Sequence, residues 1–134
     1  MTNQQKIKKL YSLLGEIEAY DRTLGKLSFD MECCAPREGI APAGEDMAVV
    51  GKQLHKLTHS KTFQKLVVEL HEDSEGLTEV QKKLIGHLYD DYSRNKNISA
   101  KLAYEIDVAS NKAYGDWLEA KKANDYGLFR DVFA

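Results

Sequence analysis

The sequence predicts an all-α fold, an antiparallel bundle of about five to six helices. Apolar residues recur at steps of three and four along most of the chain, which is typical of amphipathic helices. Strand signals are nearly absent, and only two prolines, Pro36 and Pro42, interrupt the helical pattern. The length of 134 residues suits one domain, so we expect residues 1–134 to form a single helical domain.

The first predicted helix is long and should end before Pro36. Its apolar stripe runs through Ile7, Leu10, Leu14, Ile17, Leu24, Leu27, Met31 and Cys34. Because the residue before a proline disfavours helical geometry, the helix should stop there. The segment 35–44 is predicted to be a loop. A second, shorter stripe follows, with Met47, Val50, Leu54 and Leu57.

Two polar caps mark the starts of the next helices. Ser60 is a suitable N-cap for a third helix that carries Phe63, Leu66, Val67 and Leu70. A polar turn is predicted from His71 to Gly76. Thr78 and Gln81 then have the spacing of a capping box, in which each side chain satisfies a free backbone N–H of the other residue. The fourth helix should bury Val80, Leu84, Ile85, Leu88 and Tyr92.

The last long helix is predicted after the polar stretch 93–97. One face of this helix carries Leu102, Ile106, Ala109, Ala113, Trp117 and Ala120. The final stretch, 126–134, begins another apolar pattern with Leu128, Phe129, Val132 and Phe133, and then stops. A helix this short is unstable alone. Either the chain is a piece of a longer protein, or a short C-terminal helix docks on the bundle.

Composition and charge exclude several classes of function. Hydrophobic residues make up 43% and charged residues 30%, as in ordinary soluble globular proteins. The 19 basic and 21 acidic side chains leave a net charge of -2, which provides no positive field for nucleic acid or an anionic membrane. No signal-peptide core or run of 18 apolar residues occurs, and the adjacent Cys33 and Cys34 suit a reducing compartment. We therefore expect a cytoplasmic protein without nucleic-acid or membrane partners.

Two of the four histidines are spaced as metal ligands on a helix could be. His55 and His59 are four residues apart and would project from nearly the same face. The metalloprotease motif HExxH needs a glutamate after the first histidine, and Lys56 stands there instead. His71 begins such a motif but lacks the second histidine, and His87 stands alone. A structural role is therefore favoured for His55 and His59 over a small metal-binding bundle.

The remaining reactive side chains form no recognisable catalytic set. Asp30 and Glu32 are two residues apart, so on a helix they point to different sides, which argues against a general acid/base pair. Cys33 and Cys34 have no identifiable partner base, and the sequence contains no glycine-rich phosphate loop or nucleophile elbow. The residues alone thus identify no catalytic, cofactor-binding or metal-binding site.

Two stretches, with a polar joint between them, resemble the carboxypeptidase Taq family of metallocarboxypeptidases. The stretch 27–32, LSFDME, followed by APREG at 35–39, is similar to the family's aromatic-Asp-x-Glu segment and its Pro-x-x-Gly. The segment 94–99 resembles the polar joint that precedes the later helix. That helix is similar to the family's W-x-x-A-R/K segment and its acidic-aromatic step, through Trp117, Ala120, Lys121, Asn124, Asp125, Tyr126 and Phe129.

The sequence also departs from the family pattern at three positions. Phe29 stands where the family usually has tryptophan or a similar large ring. An arginine common past the Pro-x-x-Gly is replaced near Ala43, which removes any role that this arginine would have. Lys121 stands where arginine is frequent, which keeps the charge and loses the bidentate fork.

The resemblance implies a mainly helical peptidase that uses a divalent metal, expected to be zinc, to remove C-terminal residues from peptides. The family's metal ligands come from HExxH and a later glutamate in its C-terminal half, and no residue of this chain matches them. The chain is therefore expected to be an N-terminal fragment that forms a lid or groove wall and is inactive alone. The implied partners are the remainder of the peptidase, peptide substrates and a second copy in a homodimer. A stand-alone helical protein-interaction module is the alternative.

Overall fold

The computed structural model describes residues 1–133 and contains no strand among them, which confirms the predicted all-α class. Its six α-helices are α1 (Asn3–Phe29), α2 (Arg37–Thr58), α3 (Lys61–Glu72), α4 (Glu79–Asn95), α5 (Ala100–Ala123) and α6 (Gly127–Arg130). A π-helical turn, Asp30–Cys34, continues α1, and a 3-10 turn, Asp131–Phe133, follows α6. Ala134 and the side chain of Phe133, which end the predicted apolar run, lie outside the described residues.

The chain divides into two compact units, and each unit combines segments that are distant in sequence. Unit 1 consists of Met1–Asp21 and Gln53–Ser99, and unit 2 consists of Arg22–Lys52 and Ala100–Ala134. Helices α1 and α2 each contribute one part to each unit. That residues 1–134 act as one domain stays a prediction.

Unit 1 contains a hydrophobic core formed by α1, α3, α4 and the residue before the α4 cap. The buried side chains of this core are Ile7, Leu10, Ile17, Phe63, Leu66, Val67, Leu70, Leu77 and Ile85. The predicted stripe of α3 is thus fully confirmed, and Leu10, Val67 and Leu70 are completely shielded from water. Burial of a large aliphatic side chain contributes about 1.5–3 kcal/mol, so this core supplies the main stabilisation of unit 1.

Both predicted N-caps of unit 1 are present. The Ser60 hydroxyl accepts a hydrogen bond from the backbone N–H of Phe63 at 3.2 Å and starts α3. Thr78 and Gln81 form the complete capping box: the Thr78 hydroxyl accepts from the Gln81 N–H at 3.3 Å, and the Gln81 side chain accepts from the Thr78 N–H at 2.9 Å. These bonds satisfy backbone donors that a helix start leaves free.

Unit 2 is assembled through small residues rather than through large apolar ones. Gly44, Ala48 and Gly51 lie on one face of α2, and Gly44 and Ala48 are buried. Asn111 of α5 approaches this face so closely that a Cβ added at Gly44 would lie 2.9 Å from the Asn111 Cβ. The Asn111 amide also donates to the Gly44 carbonyl at 3.4 Å. Large buried apolar side chains are therefore scarce in the described part of unit 2.

The loop predicted for residues 35–44 is wrong, because α2 already begins at Arg37. The Pro36 carbonyl accepts from the Gly39 N–H at 2.8 Å and so opens the first turn. Proline suits a helix start since its ring fixes a helical φ and the missing N–H would have no partner there. Pro42 lies inside the helix, where it removes one hydrogen bond from the ladder without ending it.

Four smaller predictions also need correction. The turn after α3 begins at Asp73 instead of His71, because His71 and Glu72 are still helical. Helix α4 continues to Asn95, through part of the predicted polar stretch 93–97. Val80 is 76% exposed rather than buried. The stripe predicted for α5 is mostly open to solvent, with Ala120 as its one buried member among the described side chains.

No helix within residues 1–133 is long and apolar enough to span a bilayer.

Candidate functional site

The two histidines with metal-ligand spacing bind the backbone of unit 1. The rings of His55 and His59 stack in parallel with centroids 3.7 Å apart. The Nε2 of His55 lies 3.0 Å from the carbonyl oxygen of Ile98, and the Nε2 of His59 lies 3.0 Å from that of Asn95. In the tautomer in which Nε2 donates to the carbonyl oxygen, this nitrogen carries the proton and cannot coordinate a metal. The geometry therefore favours the structural role over the metal site.

The other potential metal ligands in the described part of the chain do not cluster into a site. Among residues 1–133, no three His, Cys, Asp or Glu side chains come close enough to hold an ion. His71 stacks on Tyr89 with ring centroids 3.9 Å apart, and His87 is exposed. The donor set that a peptidase metal needs, three protein ligands with an open position, is not assembled by these residues.

Two carboxylates of unit 1 have lowered pKa values, and both tie α1 to the segment around α3. The hydrogen bond from the Lys6 ammonium, 2.9 Å away, lowers the pKa of Glu69. The backbone N–H of Glu75 lowers the pKa of Asp73, assisted by the Asn3 side chain. A lowered pKa keeps a carboxylate charged at neutral pH, whereas a general acid needs a raised pKa. Both carboxylates thus help to hold α1 against the segment around α3, and their lowered pKa values do not suit a general acid.

The same corner of unit 1 is closed by amide side chains. Asn3 donates to the carbonyl oxygens of Asp73 and Glu75, each at 3.2 Å, and Gln4 donates to that of Gly76 at 2.7 Å. Gly76 has a φ of 74°, a conformation that glycine adopts without steric cost. These bonds hold the turn between α3 and α4 against the start of α1.

The first stretch that resembles the peptidase family contains the π-helical turn. The Ala35 N–H donates to the Asp30 carbonyl at 2.7 Å, a bond across five residues that defines this geometry. Met31 is buried, while Phe29 is 64% exposed. Cys33 and Cys34 are exposed free thiols. The sequence correctly predicted that the helix ends before Pro36. The spacing of its apolar residues did not indicate that the last turn, Asp30–Cys34, is π-helical.

The second resembling stretch has a local structural explanation. Asn124 has a positive φ of 52° directly after α5. The N–H of Asp125 donates to the Ala120 carbonyl at 3.0 Å, and the N–H of Asn124 donates to the Lys121 carbonyl at 3.3 Å. This is the Schellman pattern that ends many helices, and asparagine tolerates its left-handed residue. The Asp125 carboxylate then accepts from the Gly127 N–H at 2.9 Å and leads into α6.

The two resembling stretches meet in unit 2 through an ion pair that the sequence analysis missed. The Arg37 guanidinium lies 2.7 Å from the Glu119 carboxylate and joins the start of α2 to the end of α5. The Lys121 ammonium lies over the Trp117 ring at 5.0 Å from its centroid. A lysine at this position thus keeps a cation–π contact, although it lacks the arginine fork. No sequence signal could have paired residues so far apart.

A groove of about 460 Å³ lies between α2 and α5 in unit 2, beside this ion pair. Its apolar lining includes Ile40 and Val108, and its rim carries Arg37, Lys112 and Asp116. The described lining contains no histidine or cysteine. Such a groove can receive a side chain or an extended segment. Its carboxylates, Glu45, Asp116 and Glu119, are not grouped so that three of them could hold a metal ion.

Comparison with known proteins connects this helical chain to metallopeptidases. The sequence model of the family described as carboxypeptidase Taq (M32) metallopeptidase matches residues 9–134. Carboxypeptidase 1 from Bacillus subtilis (strain 168) is 26% identical over 122 residues, which cover 91% of this chain and 24% of that protein.

Two solved structures share the fold over nearly the whole chain. The BsuCP crystal structure superposes with a TM-score of 0.88 at 25% identity and covers 96% of this chain. The structure of CHT gives a TM-score of 0.72 at 30% identity and covers 97% of this chain. In each case the match takes up 26% of the solved chain. The chain thus spans about a quarter of the length of these relatives.

Proposed function

Because this chain belongs to the carboxypeptidase Taq (M32) family of metallopeptidases, we propose that it is the N-terminal lid or groove-wall region of a metal-dependent carboxypeptidase. In this proposal the complete enzyme removes C-terminal residues from peptides. The observation that carries the proposal is the match of nearly the entire chain to about a quarter of longer carboxypeptidase relatives.

The proposal places the metal and the catalytic residues outside this chain. The described residues do not fit a metal, since His55 and His59 face backbone carbonyls and no third ligand joins them. The family's metal, which we expect to be zinc, polarises the scissile carbonyl and activates water when it is bound. The role left to this chain is to shape and shield the substrate groove. Exclusion of water strengthens electrostatic interactions in such a site.

The α2–α5 groove of unit 2 supports a shaping role. It combines an apolar floor with charged rims, as clefts that receive peptide segments commonly do. The ion pair of Arg37 and Glu119 links α2 to α5 at one end, and the close contact of Gly44 with Asn111 packs the two helices together within unit 2. The proposal also includes a cytoplasmic location, consistent with two exposed free thiols, and a homodimeric parent enzyme.

An activity assay tests the proposal directly. The 134-residue chain is incubated with peptides that have free C-termini, without metal and with added zinc or cobalt. We expect no release of C-terminal amino acids, because the chain supplies no complete catalytic set. Carboxypeptidase 1 from Bacillus subtilis, assayed in parallel, is the positive control. Metal-dependent release by this chain alone would contradict the proposal.

A zinc titration separates the proposal from a small metal-binding bundle. We expect no stoichiometric binding, since a zinc ion would have to displace the hydrogen bonds of His55 and His59. The double variant His55→Ala, His59→Ala provides the control. Stoichiometric zinc that disappears in this variant would restore the metal-site interpretation.

The alternative function, a stand-alone interaction module, is favoured by one observation. Several large apolar side chains of unit 2 are exposed and could contact another protein. The gene distinguishes the two functions. A reading frame that continues beyond Ala134 into an HExxH sequence supports the peptidase region, whereas a native stop codon there supports the module.

A further inference from the structure

Helix α5 exposes its most apolar face. Leu102, Ile106 and Trp117 are 46%, 49% and 39% exposed, respectively, and lie on one stripe with Ala109 and Ala113. A helix in a globular protein normally turns such a stripe toward the core and leaves its polar side in water. In this structure the stripe from residue 102 to residue 117 faces solvent instead, and only its last member, Ala120, is buried among the described side chains.

The opposite face of α5 already has a partner within unit 2. Asn111 contacts Gly44 of α2, and a Cβ added at Gly51 would lie 2.7 Å from the Asp107 carboxylate. At about 100° per residue, position 111 points about 140–160° away from positions 106 and 113, and position 107 about 100–120° away from them. Helix α5 therefore cannot turn its apolar stripe onto α2 without losing these contacts. The stripe is a second surface, separate from the one that assembles unit 2.

The end of the stripe has the features of an interface anchor. Trp117 is held in place by Tyr114, with ring centroids 5.9 Å apart, and by the Lys121 ammonium over its ring. Aromatic side chains with restricted freedom are enriched at the centres of protein interfaces, since they bury a large area at small entropic cost. The apolar surface continues beyond α5, where Leu128 is 55% exposed.

The lengths of the relatives indicate what covers this stripe. The BsuCP chain contains a segment with this fold, and about three quarters of that chain lies outside the match. In such a protein the additional residues are covalently tied to the segment, so their effective concentration exceeds that of any separate partner. A second copy of this chain has no such advantage.

We propose that the stripe Leu102–Ile106–Ala109–Ala113–Trp117 is the surface on which the catalytic part of an M32 carboxypeptidase packs. The proposal rests on the function proposed above and deepens it, since it names the surface that joins the wall to the enzyme. The stripe is then an internal interface of the complete peptidase, and it is open in the 134-residue chain.

Cysteine labelling in two contexts tests this interface. Ile106→Cys is placed in the 134-residue chain and in a chimera in which this chain replaces the matched segment of Carboxypeptidase 1 from Bacillus subtilis. Mass spectrometry follows maleimide modification at position 106. Val80→Cys is the matched control, because Val80 is an exposed apolar residue of unit 1. We expect modification at position 106 to be roughly tenfold slower or more in the chimera, since interface cores pack as densely as protein interiors. Position 80 should react rapidly in both proteins.

Three outcomes would overturn the proposal. Equal reaction at position 106 in both proteins would mean that the stripe stays open. Protection in the 134-residue chain that disappears on dilution would assign the stripe to a second copy. A chimera that does not fold would mean that the stripe does not fit the family's catalytic part. Labelling needs no activity, so an inactive chimera with position 106 protected contradicts the proposed function alone.

Discussion

The two units of this chain distribute their large apolar side chains in opposite ways. Of the buried apolar residues described, nine lie in unit 1 and three, Met31, Ala48 and Ala120, lie in unit 2. Of the exposed large apolar residues, three, Met1, Tyr11 and Val80, lie in unit 1, and nine lie in unit 2. Unit 1 therefore has its own core, whereas unit 2 has a framework of close helix contacts and an apolar surface.

The large apolar residues therefore have different roles in the two units. In unit 1 they stabilise the fold of the chain itself, as the complete shielding of Leu10, Val67 and Leu70 demonstrates. In unit 2 close contact of α2 and α5 depends on glycine at position 44, and the larger side chains remain available for binding. Contiguous exposed apolar patches on a folded protein mark surfaces that contact another protein segment, a ligand or a membrane, or that favour aggregation.

The largest expected effect comes from a cavity in the core of unit 1. Leu70→Ala should lower the free energy of unfolding by about 2–5 kcal/mol, because Leu70 is fully buried. Leu128→Ala in unit 2 is the matched control and should change it by less than about 0.5 kcal/mol, since Leu128 is more than half exposed. Urea unfolding measures both. Equal decreases in the free energy of unfolding for the two variants would contradict the claim that only unit 1 has a core of large apolar residues.

The next effect concerns the small-residue contact of unit 2. Gly44→Ala should destabilise by about 1–3 kcal/mol, because the new methyl group would lie 2.9 Å from the Asn111 Cβ. Gly25→Ala, also helical and in unit 2, has nothing within 4 Å and should stabilise by about 0.4–1 kcal/mol. Opposite signs in thermal unfolding would confirm that close packing holds α2 to α5. A stabilising Gly44→Ala would contradict it.

The smallest effect is a pH dependence of unit 1. The Lys6 ammonium lowers the pKa of Glu69 below its ordinary value of 4.5, so the ionised form is stabilised in the folded chain. This stability is present above pH 4.5 and is lost as the pH falls through the lower folded value. Glu69→Gln should therefore be less stable than the natural chain at pH 7, and the difference should shrink in acid. Urea titrations of both proteins at several pH values measure this difference, and a difference that stays the same in acid would contradict the role of Lys6.

Local signals made most of the fold predictable from the sequence. The Ser60 cap, the Thr78–Gln81 box and the stripe of α3 involve residues only three or four positions apart, and all three were predicted correctly. The loop predicted for residues 35–44 is wrong because neither Pro36, directly before α2, nor Pro42, inside it, prevents the helix from forming. Proline at a helix start favours the helix instead.

The partners of the α5 faces were not predictable in the same way. Periodicity identified the stripe of Leu102, Ile106 and Trp117 but not what covers it, and amphipathicity wrongly predicted its burial. The ion pair of Arg37 and Glu119 joins residues that no local rule connects. Its discovery required the tertiary structure, as did the carbonyl partners of His55 and His59.

Native-state hydrogen exchange of the 134-residue chain tests the central claim most directly, because it reports the stability of each helix separately. The backbone amides of α3, around Val67 and Leu70, should exchange only through global unfolding. The amides of α5 from residue 102 to 113 should exchange through local opening, faster than those of α3, because α5 lacks a covered apolar face. Equal protection of α3 and α5 would contradict the claim that unit 2 is completed by packing outside this chain.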